Sequence, residues 1–194
     1  GPKYSPDGRY VYFASRDGWV SKFDIYNLKW VAEIRAGINT RNIAVSGDGR
    51  YVMVANYLPH TMTLLDAEYL TPIKLFEVKD SNGQSSRVSA VYTAKPRNSF
   101  VAALKDVPEL WEINYADEPP PGFSGWEHSY HEEAGDLLKG ARFPLLRIPV
   151  SAHLDDFFFN LEYDLLLGAS RDGKGMVVSL DVKRVIETLD LPGM

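Results

Sequence analysis

Ser5-Pro6-Asp7-Gly8-Arg9-Tyr10 and Ser46-Gly47-Asp48-Gly49-Arg50-Tyr51 are one phrase written twice, forty-one positions apart. Each copy leads into alternating apolar residues, a turn, and a second strand-like run. A period of roughly 40 to 50 residues marks a repeat whose units cannot bury their apolar faces alone and must stack on their neighbours. In a strand-rich chain that period is one propeller blade.

The first unit reads Tyr10-Val11-Tyr12-Phe13-Ala14-Ser15, the turn Arg16-Asp17-Gly18, then Trp19 to Asp24 and Trp30 to Ile34. Aromatic and β-branched runs separated by Asp, Gly and Asn predict three short strands. The second unit repeats the order with Tyr51 to Ala55, Met62 to Asp66 and Ile73 to Val78, and the third with Val88 to Tyr92, Ser99 to Leu104 and Glu109 to Ile113. From Ala116 to about Leu145 the pattern dissolves around Pro119-Pro120-Pro121-Gly122, which reads as a long inserted loop. A fourth unit opens at Phe157-Phe158-Phe159, and its Arg171-Asp172-Gly173 repeats the Arg16-Asp17-Gly18 turn. Val177 to Asp181 aligns with Val20 to Asp24, and Val182 to Leu189 fits either a helix or a further strand. The fold class is all-β: a β-propeller with about four blades spanning residues 1–194.

Composition narrows the partners. The 194 residues are 45% hydrophobic with no long apolar run, so no segment is expected to span a membrane. A formal net charge of −5 argues against a general nucleic-acid or anionic-membrane surface. Without cysteines this stretch has no disulfide, thiolate metal site or c-type haem attachment. Neither an initiator Met nor a signal peptide precedes Gly1, and the chain reads as a piece of something longer.

Any basic site must therefore be local. The first two strands of a blade are antiparallel, so the residue before strand one and the residue after strand two share one end. Lys3, Arg41 and Arg87 stand near strand-one starts; Arg16, Lys105 and Arg171 follow strand two, with Asn56 and Tyr57 in that place in the second blade. Six cations should share one face, a trap for a multiply anionic ligand because Arg forks grip carboxylate or phosphate bidentately. The competing reading is solvated turn residues neutralised by Asp17, Asp106 and Asp172.

At these residues the chain also resembles a known family. Tyr4 through Asp24, Ala32-Glu33-Ile34-Arg35-Ala36-Gly37 leading to Arg41, Arg87-Val88-Ser89-Ala90-Val91, and Leu154-Asp155-Asp156-Phe157 through Arg171 are similar to the d1-haem propeller domain of the cytochrome cd1 nitrite reductase family. Ser15-Arg16-Asp17-Gly18-Trp19-Val20, Ala55-Asn56-Tyr57-Leu58-Pro59 and Ala103-Leu104-Lys105-Asp106 look like its NirN-type dihydro-haem d1 dehydrogenases, with the NirF-type biosynthetic proteins second. The resemblance implies a fragment of an eight-bladed propeller that holds haem d1, or its dihydro precursor, centrally by the carboxylate side chains. Lys3, Arg16, Arg41, Arg87, Lys105 and Arg171 would be the cofactor-binding groups. The axial histidine would fall just before Gly1, and a c-haem domain outside this chain.

The resemblance further implies oxidation of a precursor side chain in haem d1 biosynthesis, in the periplasm, with nitrite reductase or a c-type cytochrome as partner. Asp155 stands where the reductases carry a catalytic histidine, which speaks against nitrite reduction, since protonating bound nitrite suits an imidazole better. Asp155 and Asp156 are the candidate catalytic bases, by position. The alternatives are a cytochrome cd1 nitrite reductase, a non-catalytic d1-haem carrier, and a propeller used only for docking. Two half-propellers with open blade edges suggest a homodimer.

The remaining polar residues read more plainly. His153, two positions before Asp155, is an alternative to the missing histidine but reads first as a solvated loop residue, as does His60. Tyr57 and Tyr92 could orient a substrate but read first as strand packing, and His128-Ser129-Tyr130-His131-Glu132-Glu133 matches no standard zinc spacing. No metal site is expected.

Overall fold

The computed structural model describes residues 1–120, 123, 142–170 and 172–190. Among the described residues sixteen strands form four four-stranded antiparallel sheets, each built from consecutive strands. Blade 1 holds β1 (Lys3–Tyr4), β2 (Tyr10–Ala14), β3 (Trp19–Asp24) and β4 (Lys29–Arg35). Blade 2 holds β5 (Asn39–Val45), β6 (Tyr51–Leu58), β7 (Thr61–Asp66) and β8 (Pro72–Glu77). Blade 3 holds β9 (Val88–Ala94), β10 (Ser99–Leu104), β11 (Glu109–Asn114) and β12 (Leu145–Pro149). Blade 4 holds β13 (Asp156–Phe159), β14 (Leu165–Ala169), β15 (Lys174–Ser179) and β16 (Arg184–Asp190).

Each blade thus has four strands, where the sequence suggested three in the first units. The strands missed are β1, only two residues long, β5, whose pattern a bulge interrupts, and β12, which is delayed in the chain. β12 returns only after the insertion, and Phe143 beside it is buried edge-on against Tyr51, their centroids 5.2 Å apart. The stretch 182–189 settles as strand β16.

The repeated phrase is a hydrogen-bonded turn. Ser5 Oγ donates to Asp7 at 2.5 Å and accepts from the Tyr10 amide at 2.9 Å, while the Gly8 amide closes on the Ser5 carbonyl. Ser46, Asp48, Gly49 and Tyr51 reproduce every one of these bonds. The glycines carry φ of 72° and 76°, a region open to them at no steric cost. Asn98 and Tyr163 take the same left-handed position in blades 3 and 4. In blade 4 Asn160 replaces the serine, its side-chain oxygen accepting from the Leu165 amide at 3.0 Å. The repeat is therefore complete in geometry and visible in letters only twice.

Register also corrects an alignment. Asp24 lies opposite Tyr10 and Ser179 opposite Leu165, so Ser179, not Asp181, is the blade 4 counterpart of Asp24.

Three apolar layers glue the blades. Tyr12, Val20, Ile43, Val52 and Leu65 fill the seam between blades 1 and 2. Met53, Leu64, Val91, Phe100 and Trp111 fill the next. Ala103, Leu110, Phe157, Leu166 and Met176 fill the last. Burying such side chains contributes about 1.5–3 kcal/mol each, and it fixes the blades so that their first strands, β1, β5, β9 and β13, lie next to one another in turn.

Candidate functional site

Two backbone devices aim the cations. Thr40 pairs with Asn56 and Asn42 with Ala55, so Arg41 is the extra residue of a β-bulge on an inner strand. Bulges re-aim a side chain and end regular pairing. In blade 3 the Lys105 amide donates to the Arg87 carbonyl at 2.8 Å, holding the residue before β9 beside the residue after β10. The antiparallel argument from sequence is realised there directly.

Tyr57, at the end of β6, is where they meet. The Arg87 guanidinium carbon lies 5.3 Å from its ring centroid, Lys105 Nζ 5.8 Å and the Arg41 guanidinium carbon 5.9 Å. Tyr57 comes from blade 2, as does Arg41, while the other two cations come from blade 3. A negative ring face eases the mutual repulsion of such charges, each contact contributing about 0.5–1 kcal/mol where partly exposed.

A second ring lies beside it. Lys3 Nζ from blade 1 sits 5.1 Å from the Tyr92 centroid on blade 3. The Tyr92 hydroxyl donates to Asp156 Oδ1 at 2.8 Å. Burial first, and the Asp156 carboxylate second, push this phenol up to about 12, while Arg41 pulls the other way. Tyr92 is accordingly a neutral hydrogen-bond donor at ordinary pH.

Acids temper two of the cations. Arg87 donates through Nε and Nη2 to Asp106 and gives it a backbone bond as well, and these bonds hold the carboxyl down at about 2. Lys105, whose side chain is only 11% exposed, donates to Asp155 at 2.8 Å. Asp155 thereby serves as a counter-ion, and of the two expected bases Asp156 is the one not tied to a lysine. Arg41 and Lys3 form no ion pair among the described residues.

Four of the six expected cations are thus brought together. Arg16 is exposed in the β2–β3 turn, and its neighbour Asp17 takes the Ser15 hydroxyl instead of a guanidinium. Arg171 lies outside the described residues, as does the stretch His128 to Glu133. Asn56 turns out to be fully buried, its side chain tying Thr40, Ala36 and Thr61 together and so setting the bulge that carries Arg41. His60 is not free in solvent: Nδ1 lies 2.6 Å from Ser85 Oγ. His153 is exposed.

Sequence reasoning weighed the two tyrosines as substrate-orienting residues and preferred packing; their contacts with the cations are what it did not foresee. For Tyr57 a signal was available, since it stands at the end of β6, the strand-two exit that carries cations in the other blades; Tyr92 lies four residues into β9 and gave none. Chemically, the site offers ammonium and guanidinium groups beside flat aromatic rings, a donor set suited to several carboxylates on one flat ligand.

Comparison with known proteins follows this chemistry. The sequence profile of the cytochrome D1 heme domain matches residues 1–136. A protein of Pseudomonas aeruginosa described as dihydro-heme d1 dehydrogenase is 51% identical over 195 residues, which cover 100% of this chain and 35% of that protein. Protein NirF of the same organism is 32% identical over 120 residues, 61% of this chain and 30% of its own length. The solved structure of dihydro-heme d1 dehydrogenase NirN in complex with DHE superposes with a TM-score of 0.84 at 51% identity, covering all of this chain and 37% of the other. This chain spans about a third of the length of these relatives.

Proposed function

The chain belongs to the cytochrome D1 heme domain family, and on that premise we propose that its cationic end grips the carboxylates of a d1-type haem or its dihydro precursor. The reading extends to oxidation of the precursor's side chain, a step of haem d1 biosynthesis, when the chain acts with the rest of such a protein. The observation that carries it is the gathering of Arg41, Arg87 and Lys105 within 6 Å of one ring, Tyr57.

The division of labour follows from the residues. Arg41 and Lys3, unpaired with acids among the described residues, take ligand carboxylates first. Arg87 and Lys105 share theirs with Asp106 and Asp155, which keeps both heads in position before the ligand arrives. Tyr57 and Tyr92 present rings beside which a flat macrocycle can lie. Arg16 and Arg171 are assigned to the same ligand by their blade positions.

In the oxidation a propionate arm becomes an acrylate: two C–H bonds break, two electrons leave through the macrocycle's iron to an acceptor, and two protons are released. The macrocycle supplies that redox chemistry, and the protein supplies orientation and electrostatics. Asp156, fixed by the Tyr92 hydroxyl, is the candidate acceptor of a proton. The axial histidine and the electron acceptor, a c-type haem domain or cytochrome, we assign to parts outside this chain, and the setting to the periplasm.

The test is spectral. Dihydro-haem d1 added to the whole protein with an electron acceptor should convert to the haem d1 spectrum, and Asp156→Asn should slow conversion while leaving binding within threefold. Binding without turnover would make the protein a carrier. Absence of any d1-type tetrapyrrole binding would end the proposal.

A further inference from the structure

At the other end of blades 1 and 2 lies a cleft of about 800 Å³ that the tetrapyrrole reading does not use. Its floor is Lys22, which is 4% exposed and lies on β3 facing blade 2. Its ammonium donates once, to the Glu68 carbonyl at 3.0 Å, and rests 3.9 Å from the Tyr10 centroid and 5.8 Å from that of Tyr12. An ammonium has three donors, so two have no partner among the described residues, and no carboxylate forms an ion pair with it.

The molecule itself supplies the control. Lys22 pairs across its hairpin with Tyr12, and Glu112 pairs with Val101 at the same register in blade 3. Glu112 is also fully buried and also faces the next blade. There the seam is filled from within: Arg97 lies 2.8 Å from Glu112 and 2.6 Å from Asp181 of blade 4, and it reaches the Leu180 carbonyl. In blade 2 the equivalent residue is the apolar Leu64. Of the two charges at this register, one has a built-in counter-ion and the other faces an open cleft.

We propose that the cleft between blades 1 and 2 is a second ligand site, taking a small monocarboxylate with an apolar or aromatic body whose carboxylate meets Lys22. The volume lies within the range of small-molecule sites and leaves room for a one-ring ligand. Tyr10, Tyr12, Tyr51 and Ile73 supply apolar wall. Asp7, Asp48, Asp66 and Glu68 also border the cleft, with Arg50, held by Asp48 and Asp117, and Arg142, which donates to the Tyr51 hydroxyl; the excess of acids disfavours a dianion such as phosphate. Burial holds the Lys22 ammonium below its ordinary range even against the nearby charges of Asp66, Glu68 and Asp24, a cost that a bound carboxylate relieves.

The site is distinct from the cation cluster, so its test does not depend on tetrapyrrole binding. The chain is titrated with benzoate, benzyl alcohol, benzylamine and inorganic phosphate while amide shifts are followed by NMR. Benzoate should saturate with shifts at Tyr10, Lys22 and Glu68, and the other three should bind at least tenfold more weakly. Lys22→Met should weaken benzoate at least tenfold. The proposal is overturned if benzylamine, benzyl alcohol or phosphate matches benzoate, if shifts appear at Tyr57 and Arg87 instead, if no probe saturates, or if Lys22→Met retains the affinity. Should that variant fail to fold, the charge series on the unaltered chain decides alone.

Discussion

Arginines sit at both ends of these blades, and they live in opposite surroundings. At the end carrying the turns between first and second strands, Arg9 is held by Asp24, Arg50 by Asp48 and Asp117, and Arg97 by Glu112 and Asp181. At the other end Arg41 and Lys3 face aromatic rings, and only Arg87 and Lys105 have an acid. Five acids serve three arginines at the first end; at the second, Asp106 and Asp155 serve two of four cations, and Asp156 is bonded to Tyr92. Charge that is satisfied internally holds the fold, whereas charge left in excess around a hollow is available to a ligand. Residue type alone does not separate the two ends; the count and placement of acids do.

The largest effect expected is on the locked end. Arg97→Met leaves Glu112 buried without its partner and should cost about 3–5 kcal/mol in urea unfolding, while tetrapyrrole affinity of the folded fraction stays within twofold. A loss of affinity there would erase the distinction between the ends. Next, Arg41→Gln with Arg87→Gln should weaken binding of a d1-type tetrapyrrole by at least about 100-fold, from two charged hydrogen bonds at about 1.5–3 kcal/mol each. Stability should change by about 1 kcal/mol or less, since neither guanidinium is buried. A stability loss matching that of Arg97→Met would place both ends in the structural class.

Smaller effects sharpen the picture of the cluster. Tyr57→Leu removes the ring that three cations share and should cost about tenfold in affinity, at about 0.5–1 kcal/mol per contact, while Tyr57→Phe keeps the ring and should cost almost nothing. Smallest is the acid limb of the stability profile. Asp106 titrates at about 2 in the fold against an ordinary 3.8, chiefly through its bonds from Arg87. A lowered carboxyl contributes stability above its ordinary value and loses it as pH falls from about 4 toward 2. Asp106→Asn should flatten that part of the urea midpoint against pH, by a fraction of a kcal/mol given its partial exposure. With one competing acid removed, the same variant should bind the tetrapyrrole about threefold more tightly.

Much of the fold was legible because glycine and serine spell two of the four first turns openly, and because aromatic and β-branched runs alternate. The other two turns hid because Asn98 and Tyr163 hold a left-handed conformation that sequence does not advertise for tyrosine. Blade geometry also gave the shared end of Arg41, Arg87 and Lys105, since antiparallel pairing dictates it. The competing reading also named Asp106, which does pair with Arg87; what sequence did not give was the meeting of cations on the rings of Tyr57 and Tyr92, or Asp155 as the counter-ion of Lys105. Those depend on contacts between blades, and on a single-residue bulge at Arg41 that reverses which way the following residues face. Lys22 was passed over for the same reason: only the neighbouring blade makes its surroundings unusual.

The central claim is that carboxylates are held at the ring of cations around Tyr57. It is tested most directly by absorbance titration of the chain with haem d1 and with the same pigment fully methyl-esterified, each over a range of salt. The account predicts that the free acid binds at least 100-fold tighter than the ester and that this advantage falls steeply with salt. It also predicts that Arg41→Gln with Arg87→Gln removes most of the advantage. Equal affinity for acid and ester, or an advantage untouched in the double variant, would contradict it.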